Sequence, residues 1–389
     1  MPFVRFDKFD SCTLIARCEV HSKHQTRVKL ISENGFPVKK YEVTTEDGYI
    51  LTLHRISNPA GHPVLLIPGL MSTAADFVTI GQKSLGFFLF KMGFDVWLGN
   101  PRGTTFSRSH INLNPDTDKE FWNFSFHEIG FLDLPALIDA ILMTTGHISI
   151  QYVGHSQGCT ALMVLLAEKP EYNAKISTAH LMAPAVFMGN TRSPILMTVS
   201  ALNPHLQRHS RKIGIFEFYP TKSSVSTLWK TSCLNMQDFL SRTFCTNFIY
   251  LLGGANDAQF NYDYIQNIAQ NYPGGTSAKQ LDHFSQLVQS KKFTKFNYER
   301  STNMKLYGSE NPPEYSWKNI NTKIYIYYGS NDILTVPEDV MLTANALKSN
   351  LIQLYNIPDQ MFTHTDFLWA KDADILVYQK LGKDLLSNL

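Results

Sequence analysis

The sequence is most informative first in what it has little of. It runs to 389 residues and holds five cysteines, far from the density of a disulfide-stapled scaffold. No apolar run is long enough to cross a bilayer, so no transmembrane segment is expected. Charge of neither sign prevails: 35 Lys+Arg stand against 33 Asp+Glu, a formal net charge of +2. With no basic run, the electrostatic footprint of a nucleic-acid-binding protein is missing. A Gly-rich phosphate loop and a dinucleotide fingerprint are both missing, and no cofactor is expected. The opening residues also lack the uninterrupted apolar stretch of about 7–15 residues that marks a secretory signal. Arg5, Asp7, Lys8, Asp10, Arg17 and Glu19 break it up.

Two sparse features remain open. Cys12/Cys18 and Cys233/Cys245 each lie close enough in the chain to pair, leaving Cys159 single, and five reduced, buried thiols fit equally well. His205 and His209 have the i, i+4 spacing of metal ligands. No HExxH glutamate or third ligand accompanies them, and no metal site is expected. A sequon, Asn123-Phe124-Ser125, sits among Phe121, Trp122 and Phe126 and reads as half-buried.

What is present centres on Ile148–Glu168. A β-branched, apolar run, Ile148 to Val153, reads as a buried strand. Gly154-His155-Ser156-Gln157-Gly158 follows, and then Cys159 to Glu168 reads as a buried helix stopped by Pro170. Composition alone produces the five-residue pattern about 0.1 times in a chain this long. Between a strand and a helix it is a nucleophile elbow, in which the serine hydroxyl is lifted clear of the sheet in front of a helix N-terminus.

Around this stretch, strands alternate with helices. Tyr41–Thr45 and Tyr49–Ile56 flank an Asp-Gly turn and predict a hairpin. Pro63–Ile67, Phe94–Leu98 and Ser177–Met182 read as strands, and Ser84–Met92 and Leu132–Thr144 as helices. The alternation lapses for about 140 residues, too long for a loop, and resumes with strands at Lys323–Tyr328 and Leu351–Tyr355. The fold class expected is α/β, a mostly parallel central sheet wrapped by helices, with a helical cap and lid insertion. The divisions are an N-terminal extension at 1–38, a core at 39–184, the cap and lid at 185–307, and the rest of the core at 308–389.

A serine hydroxyl needs a base, the base an orienting acid, and the oxyanion its donors. In this arrangement the order along the chain is serine, acid, histidine. Asp332 follows the strand Lys323–Tyr328 in a Gly329-Ser330-Asn331 turn and is the acid expected. Glu338 and Asp339 follow Pro337 and look instead like the first turn of a helix. His364 is the only histidine beyond Asp332 and is the base expected. Asp366 reads as a cap of the helix that follows. Backbone N–H groups of Gln157 and Leu70 are the expected oxyanion donors.

These stretches together resemble the acid lipase family of animals, the gastric and lysosomal acid lipases. The likeness runs from about Gly35 to the C-terminus, through Tyr41 to Leu51, Asp95 to Asn100, Asp133 to Ala136, Gly154 to Gly158 and His364 to Phe367. It implies an α/β-hydrolase fold with a cap and lid, the lid around Phe216–Phe248. It implies a serine ester hydrolase acting on triacylglycerols or cholesteryl esters at a lipid–water interface, and a secreted or lysosomal address. It places the same roles on Ser156, Asp332, His364, Leu70 and Gln157. Where the family usually has His-Gly-Leu, this chain has Pro68-Gly69-Leu70. Proline has no N–H, but the donor concerned belongs to Leu70. Two other functions fit the same residues: a general carboxylesterase of soluble esters, and a lipid-binding protein without turnover.

Overall fold

The computed structural model describes residues 16–18, 26–202, 216–218 and 224–389. The Cys12/Cys18 pairing and the His205/His209 pair lie outside the described residues.

A single sheet carries the site. Its nine strands are β1 (Ala16–Cys18), β2 (Val38–Thr44), β3 (Ile50–Ile56), β4 (Pro63–Ile67), β5 (Asp95–Gly99), β6 (Ile150–His155), β7 (Ile176–Met182), β10 (Lys323–Tyr328) and β11 (Leu351–Asn356). They lie side by side in the order β1-β2-β3-β5-β4-β6-β7-β10-β11. Pairings from β5 to β11 are parallel, while β1, β2 and β3 join antiparallel at one edge. A two-strand ladder, β8 (Glu217–Phe218) with β9 (Thr276–Ser277), stands apart.

The reason is visible in the strands' two-residue period. In β4, Leu65 and Ile67 enter one buried cluster, and Val64 and Leu66 enter the other. β10 divides in the same way, with Ile324 and Ile326 on one side and Tyr325 and Tyr327 on the other. A strand apolar on both faces needs cover on both. One cover is the pair of helices Leu134–Thr145 and Gln157–Glu168; the opposite layer includes Leu85–Lys91 and Gln379–Leu386. Burying one such Leu or Ile side chain is worth about 1.5–3 kcal/mol.

Two boundaries differ from the sequence reading. The central strand spans Ile150–His155 rather than beginning at Ile148, whose side chain is 90 % exposed. A β-branched run marks strand propensity but not the point where the chain enters the sheet. Asn123 is exposed rather than half-buried. Its aromatic neighbours Phe121, Trp122 and Phe126 turn inward while it points out.

Between β7 and β10 the described residues are mainly helical: 194–202, Ser224–Leu234, Phe239–Gly253, Ile265–Asn271, Ala278–Ser290 and Arg300–Tyr307. A disulfide, Cys233–Cys245, with Cα atoms 5.3 Å apart, fastens two of these helices together. Cys159 is free and buried.

Arg102, in the loop after β5, knits the antiparallel edge to the parallel core. Its Nε donates to Asp133 at 2.7 Å, and its Nη1 and Nη2 to Asp47 in the hairpin turn at 2.5 and 2.9 Å. The guanidinium lies 4.0 Å from the centre of the Tyr49 ring. Arg102 and Asp133 are both fully buried. An Arg102→Met substitution strands the Asp133 carboxylate away from water and is expected to cost about 3–5 kcal/mol. Denaturant unfolding checks this, and a loss below about 1 kcal/mol would contradict it.

Candidate active site

The elbow follows from three glycine-sized spaces. Ser156 sits between β6 and the helix Gln157–Glu168 with φ 54° and ψ −116°, a conformation that costs a non-glycine residue on the order of 1–3 kcal/mol. The packing around it imposes that conformation. A Cβ on Gly158 would lie 2.3 Å from the Ile67 carbonyl oxygen, and one on Gly154 would lie 2.9 Å from the Cys159 nitrogen. A Cβ on Gly69 would lie 3.0 Å from the Ser156 Cβ. The Ser156 N–H donates to the Met182 carbonyl at 3.0 Å, which locks the turn to β7.

Asp332 and His364 come from the loops after β10 and β11, at the same end of the sheet as Ser156. Asp332 is buried and accepts four hydrogen bonds. Leu334 and Thr335 N–H groups donate to Oδ1, both at 2.8 Å; the Thr335 hydroxyl at 2.6 Å and His364 Nδ1 at 2.8 Å donate to Oδ2. An ionised carboxylate only accepts, so Nδ1 of His364 carries the hydrogen. Nε2 is then left with its lone pair, the tautomer a general base requires.

Ser156 and His364 open on one cleft of about 890 Å³, mouth included. Gly69, Leu70 and Met71 border it on the β4 side. Elsewhere its wall is mostly apolar, with Leu196, Val199, Leu252, Phe284, Leu368 and Trp369 prominent. Gln157 opens its helix, so its N–H is among those without an intrahelical partner. The structure therefore brings Ser156, His364, Asp332, Leu70 and Gln157 to one end of the sheet. Glu338 and Asp339 lie in the first turn of the helix Pro337–Ala346 and pair with Arg192 and Asn190 instead. Among the described residues no cluster of three or more metal-ligating side chains occurs.

Several residues of the site were not singled out by sequence reasoning. Thr335 bonds both Asp332 and His364. Its three-residue spacing from Asp332, a local Asx-type turn, was the available signal. His155 donates from Nε2 to the His364 carbonyl at 3.0 Å. Asp366 differs from its expected role. The cap position of the short helix Asp366–Trp369 belongs to Thr365. The Asp366 carboxylate accepts instead from the Thr363 N–H at 2.8 Å and Asn256 Nδ2 at 3.0 Å. Nothing in the local sequence marks Asn256 as its partner, 110 residues away.

Burial pushes the Asp366 carboxyl up to about 6, against the lowering pull of the Thr363 and Asn256 hydrogen bonds. Folding therefore binds a proton here that the unfolded chain, titrating near 4, does not hold. The stabilisation is present at acid pH and is lost as pH rises through about 6. Thermal melts at pH 4.5 and 7.5, approximate endpoints bracketing that window, should show wild type losing more stability than Asp366→Asn on going to the higher pH. Parallel losses would contradict the assignment.

Comparison with known proteins gives a consistent picture. Residues 28–81 match a partial alpha/beta-hydrolase lipase region, and residues 62–368 match the alpha/beta hydrolase fold. Lipase 3 of Drosophila melanogaster is 38 % identical, covering 92 % of this chain and 92 % of its own. The gastric triacylglycerol lipase of Rattus norvegicus is 35 % identical over 91 % of this chain and 89 % of its own. The lysosomal acid lipase/cholesteryl ester hydrolase of Homo sapiens is 34 % identical over 91 % and 88 %. The fold also superposes on a crystal structure of a protein from Sulfolobus solfataricus with a TM-score of 0.62 at 15 % identity, covering 90 % of this chain and 94 % of that one.

Proposed function

Because this chain belongs to the acid lipase family of α/β-hydrolases, we propose that it hydrolyses neutral lipid esters, triacylglycerols and cholesteryl esters, through an acyl-enzyme on Ser156. The observation that carries this reading is the cleft: an apolar wall with a serine hydroxyl and an imidazole at its base. A fatty acyl chain has no polar group to pair along its length, so an apolar wall suits it and its ester carbonyl alone needs polar partners.

His364 Nε2 takes the Ser156 proton as the hydroxyl attacks the ester carbonyl. Asp332 holds the ring and stabilises the imidazolium, which then protonates the leaving alcohol. Water activated by the same ring releases the fatty acid. Leu70 and Gln157 backbone N–H groups hold the oxyanion, each worth about 3–4 kcal/mol in the transition state. The described helices of the 185–307 insertion serve as a cap at the cleft, where Leu196, Val199, Leu252 and Phe284 line it.

The same cap meets the lipid–water interface. Its helix Phe239–Gly253 leaves Phe239 77 % and Leu240 74 % exposed, and Phe244 and Leu251 are exposed further along it. Met197 and Leu202 are exposed on the helix 194–202, and Leu196, Val199 and Leu252 of these two helices line the cleft. One pair of helices thus offers apolar side chains to the cavity and to solvent. Exposed apolar side chains on the helices that line a binding cleft suit a lipid-facing surface.

Hydrolysis of emulsified triolein and cholesteryl oleate, from acid to neutral pH, tests the reading. Ser156→Ala is expected to lose activity by about 10³-fold or more, and equal rates for the two proteins would defeat it. Replacing Phe239, Leu240 and Phe244 by Ser is expected to slow the emulsions while sparing a short soluble ester. Activity on soluble esters alone would favour a general carboxylesterase.

A further inference from the structure

A ring bonded at Nδ1 still moves with its backbone, so the position of His364 Nε2 depends on what holds residue 364. Two hydrogen bonds do so. Its N–H donates to the Gly253 carbonyl at 3.2 Å. Its carbonyl accepts from His155 Nε2 at 3.0 Å.

His155 is the peptide neighbour of Ser156. A carbonyl only accepts, so the hydrogen of His155 is on Nε2 and the lone pair on Nδ1. Nδ1 faces Gly69, where a Cβ would lie 3.4 Å away, and has no partner of its own. Burial, reinforced by the nearby His364 ring, pushes His155 well below the ordinary histidine range. It therefore stays neutral, and the donor stays on Nε2. The two rings lie 4.8 Å apart, centre to centre.

Gly253 ends the cap helix Phe239–Gly253. The last carbonyls of a helix have no intrahelical partner, and this one accepts twice: from His364 N–H, and from Ile333 N–H at 3.3 Å. Ile333 directly follows Asp332. A side chain at 253 has no room, because its Cβ would lie 2.8 Å from the His364 Cβ and 3.2 Å from Thr365 Cγ2. The acid loop and the base loop thus meet on one carbonyl of the cap, and the base loop meets the nucleophile through one imidazole.

We infer that His155 and Gly253 are positioning residues of the ester hydrolysis proposed above, clamping His364 by its backbone C=O and N–H so that Nε2 stays set toward Ser156. The inference rests on that reading of the function. It makes the helix that carries the exposed Phe239 and Leu240 the same element that holds the base, so its seating and the alignment of the catalytic groups are one variable.

The test uses the full chain, p-nitrophenyl butyrate as a soluble ester, and the variants His155→Leu, His155→Asn, His155→Gln, Gly253→Ala and Ser156→Ala. Glutamine carries an N–H donor with reach toward the His364 carbonyl; asparagine is one methylene too short. His155→Leu, His155→Asn and Gly253→Ala are expected to lower kcat by about 10²-fold, the scale of a 1 Å misplacement. KM should change far less than kcat, within about two-fold, since most of the cleft wall is unaltered, and His155→Gln should recover most of kcat. The rate of Ser156 labelling by a fluorophosphonate should fall and recover in the same order. If His155→Leu does not fold, the Asn and Gln pair carries the comparison. Wild-type kcat in the Leu, Asn and Ala variants, with Ser156→Ala inactive, overturns the clamp alone. So does a loss that tracks melting temperature and is not rescued by glutamine. Unchanged activity in Ser156→Ala overturns the underlying reading of the function, and the clamp with it.

Discussion

The structure depends on one buried carboxylate. Asp332 accepts four hydrogen bonds, three from its own loop and one from His364. The three local donors hold the carboxylate independently of the imidazole, so the His364 ring is bonded to a group that its own loop anchors. Removing any donor would loosen the ring more than the loss of one bond suggests, because buried polar networks are worth more than their pairs. The strained Ser156 backbone, the glycines around it and the ends of β10 and β11 set the hydroxyl and that ring on one cleft.

The sheet explains why such an arrangement is affordable. Central strands that bury both faces are rigid, and their carboxyl ends present loops that can vary without disturbing the core. Ser156 directly follows β6, Asp332 and His364 lie in the loops after β10 and β11, and β6, β7, β10 and β11 are consecutive in the sheet order. Strain of a few kcal/mol at Ser156 is small beside the burial of the strands and helices on either side. The charged knot of Arg102, Asp47 and Asp133 lies away from the cleft. It ties the antiparallel edge to the core and leaves the cleft end of the sheet to apolar packing and Asp332.

The chain makes some of this legible and hides the rest for identifiable reasons. The elbow is legible because close packing demands glycine at 154 and 158, and that demand leaves a spaced motif. The doubly apolar strands are legible through their β-branched runs. Asp332 and His364 are legible because chain order limits the candidates after β10. Thr335 was within reach through its spacing from Asp332. His155 stood inside the motif, but its bond runs to a backbone carbonyl 209 residues away, and backbone partners leave no residue-type signature. Gly253 hides for the same reason, and the Asp366–Asn256 contact arises only when the cap folds back onto the base loop. The Cys233–Cys245 bridge was one of two readings the spacing allowed, and the coordinates choose between them for that pair.

The central claim is that Ser156, activated by His364 held on Asp332, becomes covalently acylated. Rapid quenching with acid during the first turnover of an oleoyl ester, followed by peptide mass analysis, tests it directly. The account predicts one oleoyl group per chain, on the peptide carrying Gly154 to Gly158, at Ser156. An oleoyl group on a different residue, or turnover with no acylated protein at any quench time, would contradict it.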